Sequence, residues 1–82
     1  MGSYHLYILK CADGTLYTGI TVDLKRRIAQ HNTGTHGARY TRTRRPVQLV
    51  YTKKFRDRST ASIAEAALKA LPRTKKLTLI TS

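Results

Sequence analysis

The chain has 82 residues, with 16 lysines and arginines against 4 aspartates and glutamates, a formal charge of +12 at neutral pH. So short a chain holds one small domain, residues 1–82, which buries only about 60% of the surface its unfolded form exposes and leaves no room for a second domain. The charge favours a polyanion, nucleic acid first, while the scatter of basic residues argues against a membrane-surface helix and the lack of a run of about 18 apolar residues argues against a spanning one.

Residues 4 to 11, with Tyr4, Leu6, Tyr7, Ile8 and Leu9, read as a strand. Asp13-Gly14 then supplies the positive-φ pair of a tight hairpin turn, and a second strand from Thr15 to about Ile20 pairs back on the first. The hairpin brings Tyr7 and Tyr17 into one small sheet, with the register left open by the turn type.

Thr21 or Asp23 caps a helix running to about Asn32, in which Leu24 and Ile28 form an apolar stripe and Arg27 and His31, four apart, share a neighbouring face. Residues 33–46, rich in glycine, threonine and arginine, read as a long, polar, functional loop. Val47 to Phe55 is a third strand; Asp57 or Ser59 opens an alanine-rich helix to about Leu71, which Pro72 stops, and Arg73 to Ile80 forms a short final helix. The order β-β-α-β-α-α predicts an α/β layer. The single Cys11 and the separated His5, His31 and His36 offer neither a disulfide nor a zinc-ligand spacing, and the expectation is a soluble, cytoplasmic protein.

Two tyrosines ten residues apart, in His5-Leu6-Tyr7 and Tyr17-Thr18-Gly19, precede Arg27 and, much later, the chain's only glutamate, Glu65. In this order they resemble the GIY-YIG nuclease domain, over nearly the whole chain from Tyr4 to Ile80. The stretch His31-Asn32-Thr33-Gly34, Gly37-Ala38-Arg39-Tyr40-Thr41-Arg42 and Arg45-Pro46 resembles the small stand-alone proteins of that superfamily and the related structure-specific nucleases. Both tripeptides depart from the family's letters, yet the tyrosines and the glycine stand where the family has them. The resemblance implies a GIY-YIG fold, a small three-stranded antiparallel sheet flanked by helices. It also implies a metal-dependent endonuclease in which Tyr7, Tyr17, Arg27, His31 and Glu65 are catalytic and Glu65 holds a single Mg²⁺ or Mn²⁺.

Each residue has a plainer reading. Glu65 is also placed for an i,i+4 pair with Lys69, worth a few tenths of a kcal/mol. Tyrosines pack well in strands, and at an ordinary pKa near 10 only about one in a thousand is ionised at pH 7. Arg27 alone would be an exposed helix cation and His31 a helix-end residue.

In the loop, Arg39, Tyr40, Arg42, Arg44 and Arg45 are candidate DNA contacts: the arginines neutralise phosphate, Tyr40 stacks on an unpaired base, and Gly34 and Gly37 let the backbone approach. The expected partner is DNA, in branched, flap or single-stranded form, with a partner protein as a further source of specificity. One departure matters: DNA-repair members of the family often carry a lysine after the second motif, where this chain has Ile20, so if that lysine links the tyrosine to metal-bound water another group, such as His31, takes its place. A family asparagine beyond the metal-binding helix has no counterpart either. The alternatives are a catalytically silent nucleic-acid-binding module on the same fold and, from size and charge alone, a structural RNA-binding protein.

Overall fold

The computed structural model describes residues 3–33 and 39–81. The elements are β1 (Tyr4–Lys10), β2 (Leu16–Thr21), α1 (Leu24–Thr33), α2 (Arg39–Arg42), β3 (Gln48–Phe55), α3 (Arg58–Lys69) and α4 (Arg73–Thr81). The strands form one antiparallel sheet in the order β2-β1-β3. This is the α/β architecture expected, with one addition: the predicted loop over residues 33–46 contains the short helix α2.

The central strand is the most buried element. Leu6, Tyr7, Ile8 and Leu9 are each at most 4% exposed, because helices cover both faces of the sheet and every side chain of a central strand then points into a core. On one face Tyr7, Leu9, Cys11 and Val47 pack with Tyr17, Leu24, Ile28 and Leu49, which seats α1. On the other, Leu6, Ile8 and Leu68 pack with Leu16, Ile20, Val50, Tyr51, Phe55 and Ala64, which seats α3, and with Leu79 and Ile80 of α4.

The hairpin differs in one detail from the two-residue turn predicted. Gly14 N–H donates to the Cys11 carbonyl (2.9 Å) and Cys11 N–H to the Thr15 carbonyl (2.8 Å), and among the described residues only Gly14 has a positive φ, 86°. The loop is therefore Ala12-Asp13-Gly14, with the glycine alone in the left-handed region. Asp13 instead uses its carboxylate, accepting from the Thr15 backbone N–H (3.1 Å) and hydroxyl (2.6 Å) and pairing with Arg44 (3.0 Å).

Helix boundaries follow their caps. Asp23 accepts from the Arg26 N–H (3.1 Å), and Asp57 accepts from the N–H and hydroxyl of Thr60 (2.8 Å each). α3 ends at Lys69, two residues before the predicted Leu71; Ala70 caps it, and Pro72 disfavours helical geometry at Leu71. The Pro72 carbonyl then accepts from Lys75 and Lys76 N–H to start α4.

Asn32 joins α1 to β3. Its side chain donates to the Val47 carbonyl (3.1 Å) and accepts from the Val47 N–H (2.7 Å), acting as a strand partner where no strand exists.

Within the second motif, Thr18 is 4% exposed and its hydroxyl has no hydrogen-bond partner. A buried polar group without a partner costs about 1–3 kcal/mol. Thr18→Val is expected to raise stability by roughly 1 kcal/mol, read as a higher urea midpoint with unchanged slope; a lower midpoint would mean that the hydroxyl is satisfied.

Candidate active site

Alternation along β1 and β2 sets the site. Tyr7 lies opposite Gly19, and Leu9 opposite Tyr17, so the two motif tyrosines stand diagonally on the same face of the sheet, the one covered by α1. Their ring centroids are 6.4 Å apart. Gly19 is required by its neighbour: a Cβ there would lie 2.5 Å from the Tyr7 Oη and 2.7 Å from its Cζ. The phenol ring crosses β2 through the space a side chain would fill.

Beyond Gly19, the Tyr7 hydroxyl meets His31. Tyr7 Oη and His31 Nε2 are 3.0 Å apart, and His31 Nδ1 lies 2.8 Å from Thr41 Oγ1. All three side chains are buried, His31 and Thr41 completely. The Tyr17 ring stands edge-on to the imidazole with centroids 5.1 Å apart. Arg27, one turn before His31 on α1, hydrogen-bonds Gln30 Oε1 (3.1 Å), and its cation bears on the Tyr7 hydroxyl.

Electrostatics ties these groups together. Burial lowers the His31 pKa from 6.5 to about 4, with the cations of Arg27 and Arg45 adding to the effect, so the imidazole is neutral at pH 7. Burial raises the Tyr7 pKa; the Arg27 hydrogen bond and charge oppose the rise, while Tyr17 and Glu65 add to it. Glu65 of α3 is thus close enough for its charge to be felt at the Tyr7 oxygen. Its side chain is 23% exposed and lies 3.5 Å from the Lys69 ammonium, so the i,i+4 pair also forms.

Four of the predicted residues, Tyr7, Tyr17, Arg27 and His31, come together here, with Glu65 coupled to them. His31 is not placed to stand in for the absent lysine at solvent, because it is buried and both ring nitrogens are engaged. Ile20 itself lies on the opposite face of the sheet, across from Leu6 and packed in the α3–α4 cluster. Its identity removes nothing from the tyrosine face.

The basic segment divides. Arg44 ion-pairs with Asp13 across the hairpin. Arg45 Nε donates to the His31 carbonyl (2.6 Å) and Nη2 to that of Gln30 (3.4 Å), capping the C-terminus of α1. Both arginines therefore hold the fold around the site. Arg42 is exposed. Gly34, Gly37 and the side chains of Arg39 and Tyr40 lie outside the described residues. Thr41 and Asn32 had no signal in the sequence, since each acts through a partner at least ten residues away.

Among the described residues no cluster of three or more histidine, cysteine or carboxylate side chains forms a metal cage. Asp13, Asp23 and Asp57 are committed to a turn and two helix caps. One half-buried carboxylate suits Mg²⁺ or Mn²⁺, hard cations that keep much of their water and complete their shell with substrate phosphate.

Residues 3–78 match the GIY-YIG catalytic domain family. A UPF0213 protein of Desulfotalea psychrophila is 58% identical over 78 residues, covering 95% of this chain and 71% of that protein. A UPF0213 protein of Staphylococcus saprophyticus is 50% identical over 80 residues, covering 98% and 96%. The solution NMR structure of a UPF0213 protein from Bacillus halodurans is similar with a TM-score of 0.62 at 43% identity, covering 96% of this chain and 83% of that one. That of a protein from E. faecalis gives 0.65 at 49%, covering 93% and 80%.

A histidine held neutral in the fold and free to protonate when unfolded destabilises the fold in acid. The contribution is fully present above the ordinary value of 6.5 and is lost as pH falls from there through about 4. At about 1.4 kcal/mol per pKa unit the loss is on the order of 3 kcal/mol. Urea titrations between pH 7 and pH 4 are expected to show it in the wild type and a much shallower dependence in His31→Gln; equal slopes would place the acid sensitivity elsewhere.

Proposed function

Because this chain belongs to the GIY-YIG catalytic domain family, alongside the small UPF0213 proteins, we propose that it is a divalent-metal-dependent endonuclease that hydrolyses phosphodiester bonds in DNA, selecting DNA shape rather than base sequence. The observation that carries the reading is the Tyr7 oxygen, the one atom coupled to every other candidate: hydrogen-bonded to His31 and under the electrostatic influence of Arg27, Tyr17 and Glu65. Its burial keeps bulk water away, so the water it acts on arrives with the phosphate.

Burial also disfavours a resting phenolate. In this mechanism the hydroxyl takes the proton of the attacking water as it passes its own to the free lone pair of neutral His31. The low basicity of that imidazole makes it a relay. As the bond from the water oxygen to phosphorus forms, the bond to the leaving oxygen breaks. Arg27 offers its remaining donors to the phosphate oxygens, and Tyr17, half-buried beside His31, forms the wall against which the substrate is oriented. The chemistry a cation held by Glu65 would contribute is neutralisation of charge developing on the phosphate and the leaving oxygen. The i,i+4 ion pair with Lys69, half-buried at Glu65 and exposed at Lys69, is worth only about 0.2–1 kcal/mol, so it is easily exchanged for such a cation.

The same pair favours the second reading, a silent nucleic-acid-binding module: Glu65 already has a cation 3.5 Å away in Lys69. The two separate in a nicking assay on labelled single-stranded, duplex, flap and branched DNA with Mg²⁺, Mn²⁺ or EDTA. Tyr7→Phe is expected to lower the cleavage rate by about 10²–10⁴-fold, and Glu65→Gln to abolish cutting while DNA affinity stays within a few-fold. Binding without cutting on every substrate, in the wild type, would establish the silent module.

Affinity should fall steeply with salt. Arg42→Ala is expected to flatten the plot of log K against log salt by about one unit. Arg45→Ala, which removes a helix cap, is expected to leave the slope and cost about 1–3 kcal/mol of stability. The reverse pattern would move the phosphate contact to Arg45.

A further inference from the structure

The Tyr7–His31 hydrogen bond is the inner half of a longer buried chain. On its far side His31 Nδ1 meets Thr41 Oγ1 at 2.8 Å, and neither residue is exposed to solvent at all. Thr41 belongs to α2, in the segment whose sequence reads as a solvated basic loop.

The direction of each hydrogen bond follows from what the partners can do. A guanidinium only donates and the Arg27 cation bears on the Tyr7 oxygen, so the phenolic proton is directed away from it, to the hydrogen-bonded neighbour His31 Nε2. A neutral imidazole carries one N–H, so if Nε2 accepts, Nδ1 donates, and the acceptor it meets is the Thr41 hydroxyl. An Nε2–H ring would instead place a donor against the hydroxyl proton of Tyr7 or turn that proton away.

We propose that Thr41 is a positioning residue for the nuclease reaction, holding His31 as the Nδ1–H tautomer so that Nε2 presents its lone pair to the Tyr7 hydroxyl. The inference rests on the nuclease reading for its consequence, but its structural content is independent of it. Thr41 has the place of the third group in nucleophile–base–orienter arrangements, here through a neutral hydroxyl rather than a carboxylate. A neutral orienter stabilises an imidazolium less than a carboxylate does, in keeping with His31 as a passing relay.

The test uses the full chain with ¹⁵N-labelled histidine, comparing the wild type with Thr41→Val, which has the same shape without the hydroxyl, and Thr41→Ser, which restores it. In the wild type at neutral pH, the ring nitrogens of His31 should report a protonated Nδ1 and an unprotonated Nε2. Thr41→Ser should keep that signature, and Thr41→Val should lose it in favour of Nε2–H. Cleavage should fall about 10–100-fold in Thr41→Val and recover to within a few-fold of wild type in Thr41→Ser. A wild type with Nε2–H overturns the proposal even if Thr41→Val does not fold. So does a Thr41→Val protein whose tautomer switches while cutting is undiminished, or whose tautomer is unchanged. Failure of the wild type to cut any DNA refutes the nuclease reading and the catalytic consequence with it, while the tautomer data judge the Thr41–His31 geometry separately.

Discussion

The hydrogen bond between Tyr7 and His31, made in a space closed to water, is the constraint around which one side of this small domain is organised. It requires β1 in the middle of the sheet, so that Tyr7 is covered, and a glycine opposite, so that the phenol can cross β2. It requires α1 at a fixed height above the sheet, set by Leu24 and Ile28 in the core and by Asn32 on the Val47 backbone. A buried hydroxyl or imidazole left without its partner costs about 1–3 kcal/mol, so displacing any member strands the next. The same mutual dependence that makes the network stabilising makes it rigid.

The charge of the chain performs two tasks that composition alone blends together. Arg45 closes the end of α1, Arg44 holds Asp13, and the Arg73 guanidinium donates to the Gly14 carbonyl (2.8 Å). In a domain with so little core, guanidinium groups with several fixed donors bind loops to helices where apolar contacts do not reach. The field of +12 acts at long range whatever its local bonding, and Arg42 is exposed at the surface.

What could be read in the sequence was local. Asp57 before a helical run, Pro72 after it, and Gly14 in a turn declare themselves within four residues, and the three strands and the main helices follow. The links that build the site are not local. Thr41 to His31 spans ten residues, Arg45 to His31 fourteen and Asn32 to Val47 fifteen, and each residue taken alone looks like a surface polar group. Glu65 is intermediate: its i,i+4 partner was legible from spacing, whereas its influence on Tyr7 depends on how α3 docks, and only family resemblance marked it.

Two of the departures from the family's motif letters, Leu6 and Thr18, follow from the strand period of two, whereas His5 departs on the Tyr7 side of β1. In His5-Leu6-Tyr7 and Tyr17-Thr18-Gly19, the tyrosines and Gly19 share the face under α1, while the middle residues Leu6 and Thr18 and the following Ile20 turn to the face under α3 and α4. Middle positions are therefore answerable to packing, where leucine serves well and threonine serves with an unsatisfied hydroxyl. The positions on the other face are answerable to geometry: Tyr7 must reach His31, and residue 19 must have no side chain in its way. A change at Leu6 or Thr18 acts on packing and stability, whereas a side chain at residue 19 would close the space through which the Tyr7 hydroxyl reaches His31.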